Sequence, residues 1–239
     1  MTGKEIVIQG SQELGISLSS AQIEQFYQYY ELLVEWNQKM NLTAIIEEKE
    51  VMIKHFLDCL TAAVDIDITT CHTLIDVGTG AGFPGIPLKI AYPHLEITLM
   101  DSLKKRINFL KIIQTELGLS NVHCIHGRAE DLGQNPLYRE QYDLCVSRAV
   151  AQLAVLYEYS LPFIKVGGTF LALKGPNVEE ELVEGQKALQ VLGGKLDHTT
   201  TIDLPYSDIS HSIVHIIKNR HTPTQYPRKA GKPSKKPII

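Results

Sequence analysis

From residue 73 onward, short apolar runs alternate with longer amphipathic ones. The short runs, at residues 74–77, 97–100, 122–125, 144–146 and 170–173, have the length and side-chain character of buried strands. Between them, residues 86–92, 104–117, 150–164 and 178–192 carry apolar positions at helical spacing. Such alternation predicts an α/β fold of βαβ units around a parallel sheet. Right-handed crossovers then put helices on both faces. The rhythm breaks after Leu192. Residues 195–204 and 212–217 read as two strands with no helix between them, forming an antiparallel end to the sheet.

The chain before residue 71 reads as helical. Ser19 and Ser20 are candidate caps for a helix that repeats Ile23, Phe26, Tyr27, Tyr30, Leu33 and Val34 on one face, extended by Trp36. A second helix is expected over residues 47–64, with Val51, Phe56, Leu57 and Leu60 apolar. The expected organisation is a helical extension (1–70), an α/β core (71–220) and a tail rich in proline and lysine (221–239).

Composition narrows the class without naming a function. With 44% hydrophobic and 21% charged residues in 239, the chain is neither disordered nor fibrous. Its net charge of −4 conceals an asymmetry. Residues 1–208 carry −11, whereas residues 209–239 carry +7 and no acid. An acidic body with a basic end points to local contact with a polyanion; the bland alternative is a solvated tail. Cys59, Cys71, Cys124 and Cys145 form no CxxC pair, so a zinc ribbon is excluded and small buried hydrophobes are expected. No apolar run reaches the ~18 residues of a membrane span, and residues 1–15 lack a signal-peptide core, so a cytoplasmic protein without a membrane partner is expected.

The strongest local signal is Asp76-Val-Gly78-Thr-Gly80-Ala-Gly82-Phe83-Pro84-Gly85, which follows a strand and opens a helix. Without a Gly-Lys-Ser/Thr sequel it is not a phosphate-cradling P-loop. Two readings stay open: a dinucleotide, or S-adenosylmethionine (AdoMet). Asp101, at the end of the next strand, can bond a ribose in either. The acidic start and the GxGxG spacing favour AdoMet. Gly127-Arg128-Ala129-Glu130-Asp131 and Ser147-Arg148 follow the third and fourth strands, hence the same ligand-bearing edge. The plain alternative for Glu130 and Asp131 is helix N-terminal charge. Arg148 is a poor structural filler, because its fork needs carboxylate, phosphate or carbonyl partners.

Taken together, DVGTGAGFPGIPLKI (76–90), MDSLKKRINFL (100–110), GRAED (127–131) and SRAVAQL (147–153) resemble the bacterial 16S rRNA guanine-N7 methyltransferases, the RsmG or GidB family. YYELLVEWNQKMNLTAI (29–45), HFLDCL (55–60) and YPRKAGKPSKKP (226–237) extend the resemblance over nearly the whole chain. It departs at Cys59, where the family more often has Ser. The resemblance implies a class I AdoMet-dependent methyltransferase fold: a Rossmann-like, seven-stranded, mostly parallel sheet with the seventh strand antiparallel. It also implies methylation of N7 of guanosine 527 in 16S rRNA, presented free or in a 30S intermediate. DNA is not expected as a partner. Carried over by motif, Gly78, Phe83, Ala129, Glu130 and Arg148 are expected to bind the cofactor. The residue-level reading adds Gly80, Gly82 and Asp101.

Guanine N7 has an in-plane lone pair and no proton, so no general base is expected. Arg148 is expected to orient cofactor or base rather than move a proton. Arg220, Arg228, Lys229, Lys232, Lys235 and Lys236 are the expected RNA contacts. No metal is expected, because no cluster has ligand spacing. His211 and His215 share a strand spacing without a clear acidic partner and are expected to be ordinary histidines. The rivals in other classes are an NAD-dependent oxidoreductase and a non-enzymatic RNA-binding or ribosome-assembly factor.

Overall fold

The computed structural model describes residues 1–148 and 150–239. Its sheet runs in the order β3 (Val122–His126), β2 (Glu96–Asp101), β1 (Thr73–Val77), β4 (Tyr142–Arg148), β5 (Ile164–Lys174), β7 (Ser210–Lys218), β6 (Gly194–Asp203). The first five are mutually parallel. β7 lies antiparallel between β5 and β6, as expected of a chain whose last two strands lack a crossover helix. Strand order reverses between β1 and β4, which opens a crevice at their carboxyl ends.

Strand alternation divides the core between two faces. Leu74, Ile97 and Leu99 point to one face. There they meet α5 (Gly85–Ala91), α6 (Lys104–Glu116) and the N-terminal helices α1 (Gly3–Glu13) and α2 (Ser20–Met40). Ile75, Val77 and Met100 point to the other, beneath α8 (Leu153–Ser160) and α9 (Glu179–Leu192). α2 starts at a Ser19–Gln22 capping box and ends at Asn41 in the left-handed conformation (φ 50°). Its Phe26, Tyr29 and Leu33 are fully buried.

The expected second helix is present but irregular. It passes from α3 (Glu48–Val51) through a π segment (Met52–Leu57) to α4 (Asp58–Leu60) and a 3-10 turn (Thr61–Ala63). The HFLDCL motif straddles the π segment, a distortion common where side chains are aimed at a site. α7 (Ala129–Leu132) and α10 (Lys232–Lys235) are single turns that apolar spacing did not reveal. β5 begins six residues before the expected 170–173 run. The register slips between Tyr142 and Leu144, which pair with Ile164 and Thr169, so Lys165–Gly168 bulge out where the apolar signal is lost. Among the described residues, no helix is long and apolar enough to cross a membrane.

Candidate active site

The Asp76–Gly85 bend is stitched at three points. Asp76, one residue before the end of β1, is almost completely buried; its Oδ2 accepts hydrogen bonds from Thr79 Oγ1 at 2.7 Å and from the Gly85 amide at 2.8 Å. Burial raises this carboxyl to about 7 against the pull of those bonds. The Gly78 and Thr79 amides both reach Met100 O at 3.0 Å, and the Gly80 amide donates to Asp101 Oδ2 at 3.0 Å. Asp101 is fixed further by the Leu103 amide at 2.8 Å and by Arg106 at 3.1 Å. Gly80 adopts φ +61° with open space where a Cβ would stand, so the backbone itself faces the crevice.

These groups wall a cavity of about 470 Å³ at the carboxyl edge of the sheet. The volume falls within the ~300–1,000 Å³ of small-molecule sites. Gly78, Gly80, Phe83 and Asp101 line one side; Ala129, Glu130 and Arg148 line the other. Seven of the eight expected cofactor residues therefore converge. Gly82 is the exception. A side chain there would strike Tyr29 Oη at 2.6 Å, and its φ of +107° serves the packing of α2 against the bend. The Tyr29 hydroxyl closes this joint by donating to Ala81 O at 2.6 Å.

Sequence reasoning missed several cavity groups. Thr43, His55 and Tyr159 also line it. His55 stacks on Phe83 at 4.7 Å, and its Nε2 sits 2.8 Å from Thr43 Oγ1. Burial, reinforced by the Arg148 charge, lowers the imidazole to about 4, so it is neutral at pH 7. The visible signal was the His-x-x-Asp spacing of HFLDCL on a helix, which puts His55 and Asp58 on one face. Arg148 does have a structural partner: Nη1 pairs with Asp58 Oδ2 at 2.5 Å, and its guanidinium lies 4.8 Å from the Phe83 ring centre. It also borders a second cavity of about 370 Å³, with Lys54, His55, Asp58, Lys174 and His211. The two cavities thus share His55 and Arg148. The acidic partner that His211 seemed to lack in sequence is Asp58, 3.1 Å away.

The expected RNA contacts divide. Lys229, Lys232, Lys235 and Lys236 are exposed. Arg228 is not free: its Nε and Nη2 grip the buried carboxylate of Glu158, with the shortest contact 2.6 Å. Arg220 is exposed, but its Nη2 donates to Gln190 O near the end of α9. Nor is residue 221 onward a loose tail. Arg139 bonds Thr222 O and Tyr226 O, Gln134 bonds Thr224 O and Pro227 O, and the Gly231 amide donates to Glu130 Oε1 at 2.8 Å. Glu130 is therefore held by this strap while it lines the cavity.

A Rossmann-like sheet with an antiparallel β7, a glycine bend after β1 and an acid at the end of β2 define a class I AdoMet-dependent methyltransferase. The cavity suits that cofactor: a bare backbone at Gly80, an acceptor carboxylate at Asp101, and no lysine of a phosphate loop. The sequence profile of GidB, described as rRNA small subunit methyltransferase G, matches residues 22–209, and the chain belongs to this family. It is 57% identical over 235 residues to the ribosomal RNA small subunit methyltransferase G of Alkaliphilus oremlandii, covering 98% of each chain. Identity to the protein of that name from Listeria monocytogenes is 50% over 226 residues, 95% of each. Among solved structures, the mitomycin 7-O-methyltransferase MmcR shares the fold at 13% identity, with a TM-score of 0.57 over 79% of this chain and 60% of that one. TrmN from Thermus thermophilus does so at 16% identity and TM-score 0.51, over 70% and 53%.

Proposed function

We propose that this methyltransferase modifies N7 of guanosine 527 in 16S rRNA, presented as free rRNA or within an assembling 30S particle. The names of its relatives support rRNA as the acceptor. The observation that carries the reading is the meeting of two cavities at His55 and Arg148. In it, the donor lies in the glycine-bend cavity and the base in its neighbour. When bound, AdoMet supplies a sulfonium methyl.

The residues of this chain then have limited work. Gly80 and Asp101 fix the nucleoside end, and Glu130 and Ala129 face its base across the crevice. The Asp58 carboxylate suits the N1–H and N2–H donors of guanine. Arg148 suits O6, leaving N7 unprotonated and uncovered. His55 is neutral and moves no proton. Holding the reactants in line supplies the rate, several kcal/mol by proximity alone. The organisation proposed is the same three parts: helical cover 1–70, core 71–220 and basic strap 221–239.

The test is transfer of labelled methyl from AdoMet to 16S rRNA and to isolated 30S precursors, followed by mapping of the modified base. Label at N7 of guanosine 527 is expected. Label on another base, or none on either substrate, overturns the acceptor assignment.

A further inference from the structure

We propose that Asp65, His198 and His215 form a binding site for a divalent transition-metal ion of the Zn²⁺ type at the β6–β7 edge of the sheet. One ligand-capable atom from each of the three lies within 4.8 Å of the others. The donor set, two imidazoles and a carboxylate, is one that Zn²⁺ accepts with water completing the tetrahedron. Sequence spacing could not reveal it, because residues 65, 198 and 215 meet only through the sheet.

The site is anchored by His215. This residue is 2% exposed on β7, and its Nε2 is a buried ring nitrogen without a hydrogen-bond partner. A buried ring nitrogen left unpaired is unfavourable, and a bound ion would give it a partner.

His198 is brought opposite His215 by a register irregularity between Leu196 and His198, and the two rings stack at 4.0 Å. Asp197 carries the carboxylate that holds His198 Nδ1 at 2.9 Å. That leaves Nε2 as the ring nitrogen for an ion, and a carboxylate on the other nitrogen orients metal-bound histidines elsewhere. Asp65 comes from the segment between the 3-10 turns Thr61–Ala63 and Ile68–Thr70, which joins the N-terminal helices to β1.

Ligand atoms around tetrahedral Zn²⁺ stand roughly 3.3 Å apart, given bonds of about 2.0–2.1 Å. Closure onto an ion therefore draws His198 and Asp65 in by up to about 1.5 Å and turns the His198 ring out of its stack on His215, so that the in-plane lone pairs meet at one point. Both are exposed, and β6 is the edge strand, so neither is locked by packing. The open side also gives the ion its way in. A bound ion would fasten the N-terminal helical layer to β7 four residues along from the Asp58–His211 pair of the second cavity.

The experiment is a calorimetric titration of untagged, chelator-stripped full-length protein with Zn²⁺ alone, with melting temperature as a second readout. Cys71 and Cys124, which are only half-buried, are the rival ligands. The double variant Cys71→Ser/Cys124→Ser is therefore run alongside. One ion per chain is expected in wild type and in the cysteine variant, with a raised melting temperature. His198→Ala, at an exposed position, should weaken binding more than about 100-fold and abolish the melting shift. Asp197→Asn should weaken it roughly tenfold through loss of the outer carboxylate. Absence of one-to-one binding, or equal affinity in His198→Ala, would mean an adventitious cation only and overturn the site.

Discussion

The glycine bend at 76–85 lines the cavity and the C-terminal strap at 222–239 backs it through Glu130, yet they are built by opposite means. The bend is held mostly by near neighbours, with Tyr29 the distant exception: Asp76 accepts from Thr79 and Gly85, and Asp101 reaches Gly80 from the adjoining strand. The strap has almost no internal structure beyond one helical turn. Its shape is imposed by Gln134, Arg139, Glu140 and Glu158, 70 residues or more away in the chain. Short-range hydrogen bonds leave a motif in the sequence. Long-range ones leave a basic stretch that reads as solvent-facing. If the comparison holds, damage to the strap appears as lost stability and damage to the bend as lost cofactor.

The largest effect is expected from Arg228→Ala. Glu158 is 1% exposed on its side chain, and without the guanidinium its charge is buried unpaired. Breaking a buried pair in this way costs about 3–5 kcal/mol. Urea unfolding should show a lowered midpoint. A midpoint equal to wild type would return the strap to the status of a loose tail.

Asp76 comes next and tests the bend. Its native carboxyl sits near 7, whereas an unfolded aspartate titrates near 3.9. Between those values the native state keeps a proton that the unfolded chain has released, so this group lowers stability as pH rises from 4 to 7. Asp76→Asn accepts the same two hydrogen bonds and lacks the titration. Relative to wild type it should gain stability across that window, by a few kcal/mol at most. Parallel curves of stability against pH for the two proteins would show that Asp76 is not held protonated.

Asp101→Ala should cost less stability than Arg228→Ala, although the Gly80 and Leu103 amides lose their acceptor, and weaken AdoMet binding about 100-fold, since hydrogen bonds to a charged group are worth ~1.5–3 kcal/mol each. Calorimetry checks it. An affinity within threefold of wild type would remove Asp101 from the cofactor site and break the contrast with Arg228.

The same contrast explains how much could be read in advance. The mostly parallel sheet and its antiparallel end followed from apolar period and resemblance, and seven of the eight residues expected at the cofactor line one cavity; these signals live in short windows. Gly82 lies outside that lining, and the neighbour it packs against, Tyr29, is 53 residues upstream. For Arg228 and Arg220, sequence shows the charge and hides the partners Glu158 and Gln190. His55 was printed inside a recognised motif, but its role needs Phe83 beneath it and Arg148 beside it. His211 looked partnerless because Asp58 reaches it from the other end of the chain.

The smallest structural effect, and the sharpest division within the strap itself, is expected from replacing Lys229, Lys232, Lys235 and Lys236 together by Gln. All four are exposed, so the strap's anchors stay in place and unfolding should be unchanged. Their remaining function is charge. Each lysine on a phosphate releases a counterion, and four of them contribute roughly 3 to the slope of log affinity against log salt. The variant should bind rRNA more weakly at low salt and with a slope flatter by up to about that amount. Near-equal binding at high salt would then show that the lysines attract RNA while Arg228 holds the strap that carries them. An unaltered slope would assign the whole strap to packing and leave the RNA to other surfaces.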